Sequence, residues 1–473
     1  MQKKLLSGLF WVLLANLLVK PFWILGVEVG VQNAVGNEVY GFYFSIFNLA
    51  YILNILLDLG VTNFNTRNIA QHPQLIGKHL SGILGIKVCL LGLYLVVAFT
   101  AGALLGYGSQ EFRLLAWLTL CQFLNSLILY LRSNFEGLLL FRWDSLFSVL
   151  DRVLMILICG GLLWGPLREG FNIYWFVYAQ AIAYGLTALL AFFIIARKAH
   201  FRRLRWDRRF FLVILKQSAP FALLVLLMAS YNRIDPILLR RLASDAEAGI
   251  YAGAFRLLDA LTMVCYLVSV PLLPVFSKIF ADMGRRQPAC DTTQPPSPPA
   301  TLHSPLSTLH SPLSTLHSPL QDTLRLVFWP MMLFAAGAAV LCALWAEPLM
   351  ALLYHGSGEP YVPVFRIVIF GLIPIGLTYI FGTLLTADGR LRQLNLFAAS
   401  SLVLNVAVNL LLIPRFGAVG SAWASLTAQS FMALAQVVLS IRLCRLPLST
   451  FRLPRPADLR QLVDTLRSPE QKA

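Results

Sequence analysis

Apolar runs long enough to cross a bilayer recur from one end of this chain to the other, separated only by short polar hinges. A helix needs about 20 apolar residues to cross the hydrocarbon layer. Twelve runs come near that length, at 5–28, 40–59, 83–105, 114–131, 146–163, 171–196, 212–239, 249–276, 326–345, 364–385, 394–413 and 418–443. Hydrophobic residues make up 58% of the chain and charged ones 13%, well below the roughly 25% of an ordinary globular domain. The expected fold is therefore an all-α membrane protein of about twelve transmembrane helices. The first run follows Met1-Gln-Lys-Lys4. It is too long for a signal peptide and has no small-x-small cleavage site, so it reads as a retained first span.

Lys and Arg collect in alternate hinges. One set holds Arg67, Lys78, Arg132, Arg142, the cluster from Arg197 to Arg209, Lys278, Arg285, Arg286, Arg325, Arg390, Arg392 and the tail from Arg442 to Lys472. The other holds only Arg113, Arg168, Arg240, Arg241 and Arg415. By the positive-inside rule this bias places both termini in the cytoplasm, and it accounts for the net charge of +16. Nucleic-acid binding is excluded, because the cations are divided among separate loops with no groove-forming domain to gather them.

Within the basic connector 201–210, Phe201, Leu204, Trp206 and Phe210 interleave with the arginines. That is the pattern either of an element resting on anionic lipid or of a plain cytosolic linker. From Pro288 to Leu320 the composition changes to Pro-Pro-Ser-Pro-Pro followed by a Thr-Leu-His-Ser-Pro-Leu-Ser unit that repeats with a proline in every copy, which forbids a continuous helix. A disordered cytosolic loop is expected over about 285–322. His303, His310 and His317 lack the fixed geometry of a metal site. The seven cysteines form no CxxC pair, so neither a metal nor a disulfide framework is expected. After Pro456, Leu459, Leu462, Val463 and Leu466 share one face of a short amphipathic helix in the tail 444–473.

The runs divide into two sets of six, at 1–200 and 211–443. Asn37-Glu-Val-Tyr-Gly41-Phe-Tyr43 opens the second span and Asp245-Ala-Glu-Ala-Gly249-Ile-Tyr251 the eighth. Each follows a span interrupted by proline, Pro21 in one half and Pro220 and Pro236 in the other. An even number of spans per half leaves the halves parallel, related by an axis along the membrane normal, with the substrate path between them. The proline-broken helices are the ones able to bend, so these three prolines are candidate hinges.

Gly41-Phe-Tyr with Leu57-Asp-Leu-Gly60, Ser218-Ala-Pro-Phe221, Asn232-Arg-Ile-Asp-Pro236 with the segment 245–251, and Gly417-Ala-Val-Gly-Ser-Ala-Trp423 together resemble the Wzx-type oligosaccharide flippases of the MATE-like exporter (MOP) superfamily. The resemblance covers nearly the whole membrane portion. It implies a MATE-like fold and an alternating-access carrier. The implied cargo is undecaprenyl-pyrophosphate-linked sugar units, moved from the inner to the outer leaflet of the bacterial inner membrane. It also implies membrane lipids as surroundings, a polysaccharide polymerase and glycosyltransferases as working partners, and no cofactor.

A charge at mid-helix costs about 2.5–3.5 kcal/mol on insertion scales, so each one calls for a reason. Lys20, Lys87, Arg152, Arg233, Asp235, Arg256 and Asp259 qualify, whereas Asp58 and Arg366 stand near span ends where snorkelling or a helix terminus satisfies them. If the halves face each other, Lys20, Arg233 and Arg256 line one cavity, and guanidinium suits phosphate oxygens. Asp235 and Asp259, with Arg152, are candidates for coupling or ion pairing. The structural alternative is that Arg256 neutralises Asp259 three residues on, Arg233 pairs with Asp235, and Lys20 snorkels. A multidrug exporter of the same superfamily would need cavity carboxylates for cationic drugs, and the first helix offers Lys20 and only a terminal Glu28. A membrane-embedded glycosyl or acyl transferase would need a catalytic arrangement, and the outer loop with Glu347, His355 and Glu359 has none.

Overall fold

The computed structural model describes residues 19, 21–62, 65–66, 69, 74, 76–138, 140–165, 170–199, 222–269, 272–285, 318–355, 358–444, 446–447 and 451. Lys20, Pro220, the basic connector, the proline-rich repeat and the amphipathic tail lie outside them.

The elements run in the order α1 (Val29–Leu53), α2 (Ile76–Leu104), α3 (Ser109–Gly137), α4 (Phe141–Phe147), α5 (Leu150–Trp164) and α6 (Ile173–Ala199) in the first half. The second half has α7 (Ala222–Arg233), α8 (Asp235–Leu242), α9 (Asp245–Ser269), α10 (Leu272–Arg285), α11 (Ser318–Leu344), α12 (Ala346–Leu353), α13 (Val362–Val368), α14 (Leu372–Ala387) and α15 (Leu391–Leu443). Among the described residues every long element is helical. Nine stretches of the described residues are long and apolar enough to cross a membrane, and α7 with α8, bent by 44°, makes a tenth.

Two of the nine are hairpins. Trp23–Leu57 is 35 residues and Leu391–Leu443 is 53, lengths of about 52 and 80 Å at 1.5 Å per residue, well beyond one bilayer. The first breaks at Gly36 (φ 80°) and the second at Gly417 (φ 53°), in the left-handed region where glycine carries no steric penalty. The rings of Trp23 and Tyr43 both pack on Phe176, so the chain doubles back between them. In α15 a Cβ on Gly420 would sit 2.6 Å from the carbonyl oxygen of Leu412. The Gly417-Ala-Val-Gly motif is thus a tight reversal, and the backbone N–H of Ala418 is capped by Glu247 Oε2 at 2.6 Å. Counting each hairpin as two spans gives the expected twelve.

The first span runs further than hydropathy indicates. Through a π-helical turn, Trp23–Glu28, it continues as α helix up to Gly36. Polar Gln32 and Asn33 are accommodated there because partners in the other half take up their amides. The third span likewise starts early, at Ile76, and α11 starts at Ser318 inside the expected loop.

The two halves meet chiefly along α1 and α9. Their crossing is reciprocal. A Cβ on Gly41 would overlap the carbonyl oxygen of Asp245, and one on Gly249 would overlap that of Asn37. Each glycine therefore touches the residue one turn before its counterpart, the signature of a local two-fold axis, and only hydrogen side chains allow such backbone approach. Beyond the glycines the same ladder repeats. Tyr43 stacks on Phe47 and Tyr251 on Phe255, both at 5.7 Å between ring centroids.

Candidate functional site

The π turn is the local feature that builds the site. Bonding five residues apart brings side chains i and i+5 into register, and π turns concentrate at functional positions. Trp23 Nε1 donates to Glu28 Oε1 at 3.0 Å, which aims the carboxylate at the space between the halves. A cavity of about 300 Å³ opens there. Trp23, Glu28, Tyr40, Tyr43, Tyr51, Arg152, Gln180 and Tyr184 line it from the first half, and Arg233, Asp259 and Met263 from the second.

The charges do not pair as neighbours in sequence. Arg233 reaches Asp259 on α9, with its two amino groups at 3.3 and 3.4 Å from the carboxylate, and lies over the rings of Tyr51 and Phe255 at 5.6 and 5.8 Å. Arg233 does not pair with Asp235, whose carboxylate lies beyond the 44° break between α7 and α8 and is taken up by Tyr251, Asn405 and Asn409. Pairing of Arg256 with Asp259 also does not occur. Arg256 instead faces Tyr40 at 4.4 Å from the ring centroid, with Nε 4.0 Å from Glu28 Oε2. It is 3% exposed, and its Nη1 and Nη2 have no hydrogen-bond partner among the described residues. A buried guanidinium fork without acceptors is costly, and it is what an incoming anion would satisfy. Arg152 donates to Tyr184 Oη at 2.9 Å, lies over Trp23, and has Asp151 at 3.6 Å.

Asp235 stands apart from the cavity. It is fully buried, and its carboxylate accepts from Tyr251 Oη (2.8 Å), Asn405 Nδ2 (3.0 Å) and Asn409 Nδ2 (2.8 Å). Pro236, at the start of α8, is buried beside it and marks the helix break, while Pro21 closely precedes the π turn. Lys87 is also away from the cavity, and Asp58, discounted as a span-end residue, is its partner. Lys87 Nζ donates to Asp58 Oδ1 (2.9 Å), Leu57 O (2.9 Å) and Ser126 Oγ (2.8 Å). The Leu57-Asp-Leu-Gly60 motif makes this possible, because Leu59 and Gly60 both turn with positive φ.

Of the expected site residues, Arg152, Arg233 and Asp259 come together in the cavity, with Arg256 behind its wall. Sequence reasoning missed Glu28, Trp23 and the tyrosines. The spacing Trp23-x4-Glu28 was the available signal, but it has meaning only if the turn is π.

Residues 5–280 match the family of polysaccharide biosynthesis proteins. Comparison with curated protein sequences gives no match. Among solved structures the chain is similar to the lipid II flippase MurJ in an inward closed conformation, at 15% identity and a TM-score of 0.63, with 95% of this chain and 92% of that chain covered. It is similar also to a multidrug resistance MATE family transporter of the MOP superfamily in an inward-facing conformation, at 13% identity and TM-score 0.59, with 97% and 96% covered. A third likeness is to the Vibrio cholerae MATE transporter VcmN in its bent form, at 16% identity and TM-score 0.55, with 95% and 98% covered. These likenesses carry the fold, which is the MATE-like one.

Proposed function

From the premise that the chain belongs to the polysaccharide biosynthesis protein family, we propose that it is a flippase for lipid-linked oligosaccharide. It moves undecaprenyl-pyrophosphate-linked sugar units from the inner to the outer leaflet of the bacterial inner membrane by alternating access, with both termini in the cytoplasm. The observation that carries this reading is the arginine set around one cavity. Arg152 and Arg233 line it, and Arg256 presents two buried, unpartnered nitrogens beside it. A pyrophosphate supplies acceptors of matching geometry, and in a low-dielectric cavity such charge-assisted bonds are strong. Lys20 joins this set on the sequence reading. Glu28 and Asp259 hold the arginines in place while the cavity is empty, and they give up their partners as phosphate arrives.

Asp235 is the coupling residue in this proposal. Asp259 has a guanidinium of its own, whereas among the described residues Asp235 is held by neutral donors only, so its charge is the one a proton or a cation can neutralise. The hinge lies at the break before Pro236, next to this carboxylate, and at Pro21 in the other half.

Complementation of a flippase-deficient strain tests the site. Arg233→Gln and Arg256→Gln should each abolish surface polysaccharide with protein abundance unchanged. Full activity in the double variant would remove the anion-binding cavity. A multidrug exporter, the second reading, draws support from Glu28 and Asp259 facing the cavity. On that reading Glu28→Gln would abolish resistance to cationic drugs and the arginine variants would not affect surface polysaccharide.

A further inference from the structure

On the far side of the Gly41–Gly249 crossing from the charged cavity there is a second hollow, of about 540 Å³, within the roughly 300–1,000 Å³ range of small-molecule sites. Residues 30–37, at the end of the first span, form one wall. Leu163 and Trp164 at the end of α5 form another, and Tyr354, His355 and Tyr361 of the second half close it. Its chemistry is unlike that of the cavity, since no Asp, Glu, Lys or Arg is among the described residues that line it.

It offers an aromatic face and amides. Trp164 is 63% exposed at the end of its helix, while Tyr354 and Tyr361, stacked on each other at 3.9 Å and nearly buried, border the hollow from the second half. Gln32 donates to Asn37 Oδ1 at 2.8 Å and to Gly249 O at 2.9 Å, and Tyr361 Oη also donates to Asn37 Oδ1. Asn33 donates to Leu353 O at 2.8 Å, and its amide nitrogen is 2.8 Å from Nδ1 of His355, which stands at φ 49°. Gln32 is 1% exposed, yet its Oε1 has no hydrogen-bond partner among the described residues. It is an acceptor waiting for a donor, since a buried oxygen left unpaired costs about 1–3 kcal/mol.

We propose that this hollow is a carbohydrate-binding vestibule, which takes the neutral, hydroxyl-rich part of the cargo while its charged head belongs to the arginine cavity. Sugar rings present apolar C–H faces to aromatic rings and hydroxyls to amides, and the lining has both and no charge. Both halves contribute to the wall, so the vestibule exists in this form only while the Gly41–Gly249 crossing is closed. The inference rests on the cargo bearing a glycan, as proposed above.

The test uses the full-length protein in lipid nanodiscs and, as probe, the water-soluble oligosaccharide freed by mild acid from the producing cell's lipid-linked pool. Saturation-transfer NMR should show contact with sugar ring protons. Trp164→Ala, at an exposed position, should weaken binding about tenfold, equivalent to about 1.4 kcal/mol, and Trp164→Phe should restore most of it. Arg233→Gln should leave binding of this probe, which lacks the pyrophosphate, unchanged. Absence of binding to the wild type, or undiminished binding in Trp164→Ala, would overturn the vestibule. Equal weakening in Arg233→Gln would place the contact in the arginine cavity and overturn it too. Failure of the flippase reading shows separately, as surface polysaccharide that persists in the arginine variants.

Discussion

Among the described residues, the most deeply buried charge of the first half is a cation and that of the second half an anion. In the first half it is Lys87, 1% exposed and paired with Asp58. In the second it is Asp235, fully buried and held by a tyrosine hydroxyl and two amides, with no cation beside it among the described residues. The central helices α1 and α9 start alike, with Gly41 facing Gly249 and equal aromatic pairs after them. They part at the next turn, where Tyr51 follows Phe47 but Asp259 follows Phe255. Symmetry is kept where two backbones must touch and lost where the charges sit. In the proposed mechanism the Lys87–Asp58 pair pins its half, and the neutrally held Asp235 carboxylate gives the other half a charge that can change.

The largest effect expected from breaking this contrast is at Lys87. Lys87→Met should lower stability by about 3 kcal/mol, the low end for breaking a buried pair because Asp58 keeps some solvent contact. The double variant Lys87→Met, Asp58→Asn should recover much of the loss. Thermal melts in detergent measure both, and an equal loss in single and double variants would show that the pair is not what pins the first half.

The reciprocal crossing gives the next effect. Gly41→Ala and Gly249→Ala should each cost about 2 kcal/mol through overpacking against backbone. Their combination should cost less than the sum, since the first already parts the helices. Unequal single losses, or full additivity, would contradict the two-fold contact.

At Asp235, Asn409→Ala removes one donor to a buried carboxylate and should cost about 1.5 kcal/mol. Asp235→Asn should suppress transport in the complementation assay with abundance unchanged; retained transport would leave the second half without its proposed coupling charge. The smallest effect is at the hairpin of α15, where Glu247→Gln should cost about 0.5 kcal/mol by weakening the charge at the helix N-terminus above Ala418.

Much of the cavity was out of reach of sequence reading. Hydropathy finds Arg233 and Asp259 as unusual charges but not as partners, because they sit on different helices whose mutual rotation is not written in either segment. Glu28 looks like a terminal residue until the π turn carries the helix on to Gly36 and swings its carboxylate under Trp23.

By itself the sequence determined the all-α membrane fold, the number of spans and the correspondence of Gly41-x-Tyr43 with Gly249-x-Tyr251. Each of these depends on local composition or on a spacing along one helix. Tertiary structure decided the pairing of Glu28 with Arg256 and of Lys87 with Asp58, the closed cage around Asp235, and the separation of a charged cavity from a neutral hollow. Those depend on how helices distant in sequence are rotated against one another. That rotation is set where Gly41 and Gly249 let two backbones touch, a property of the pair that neither residue carries alone.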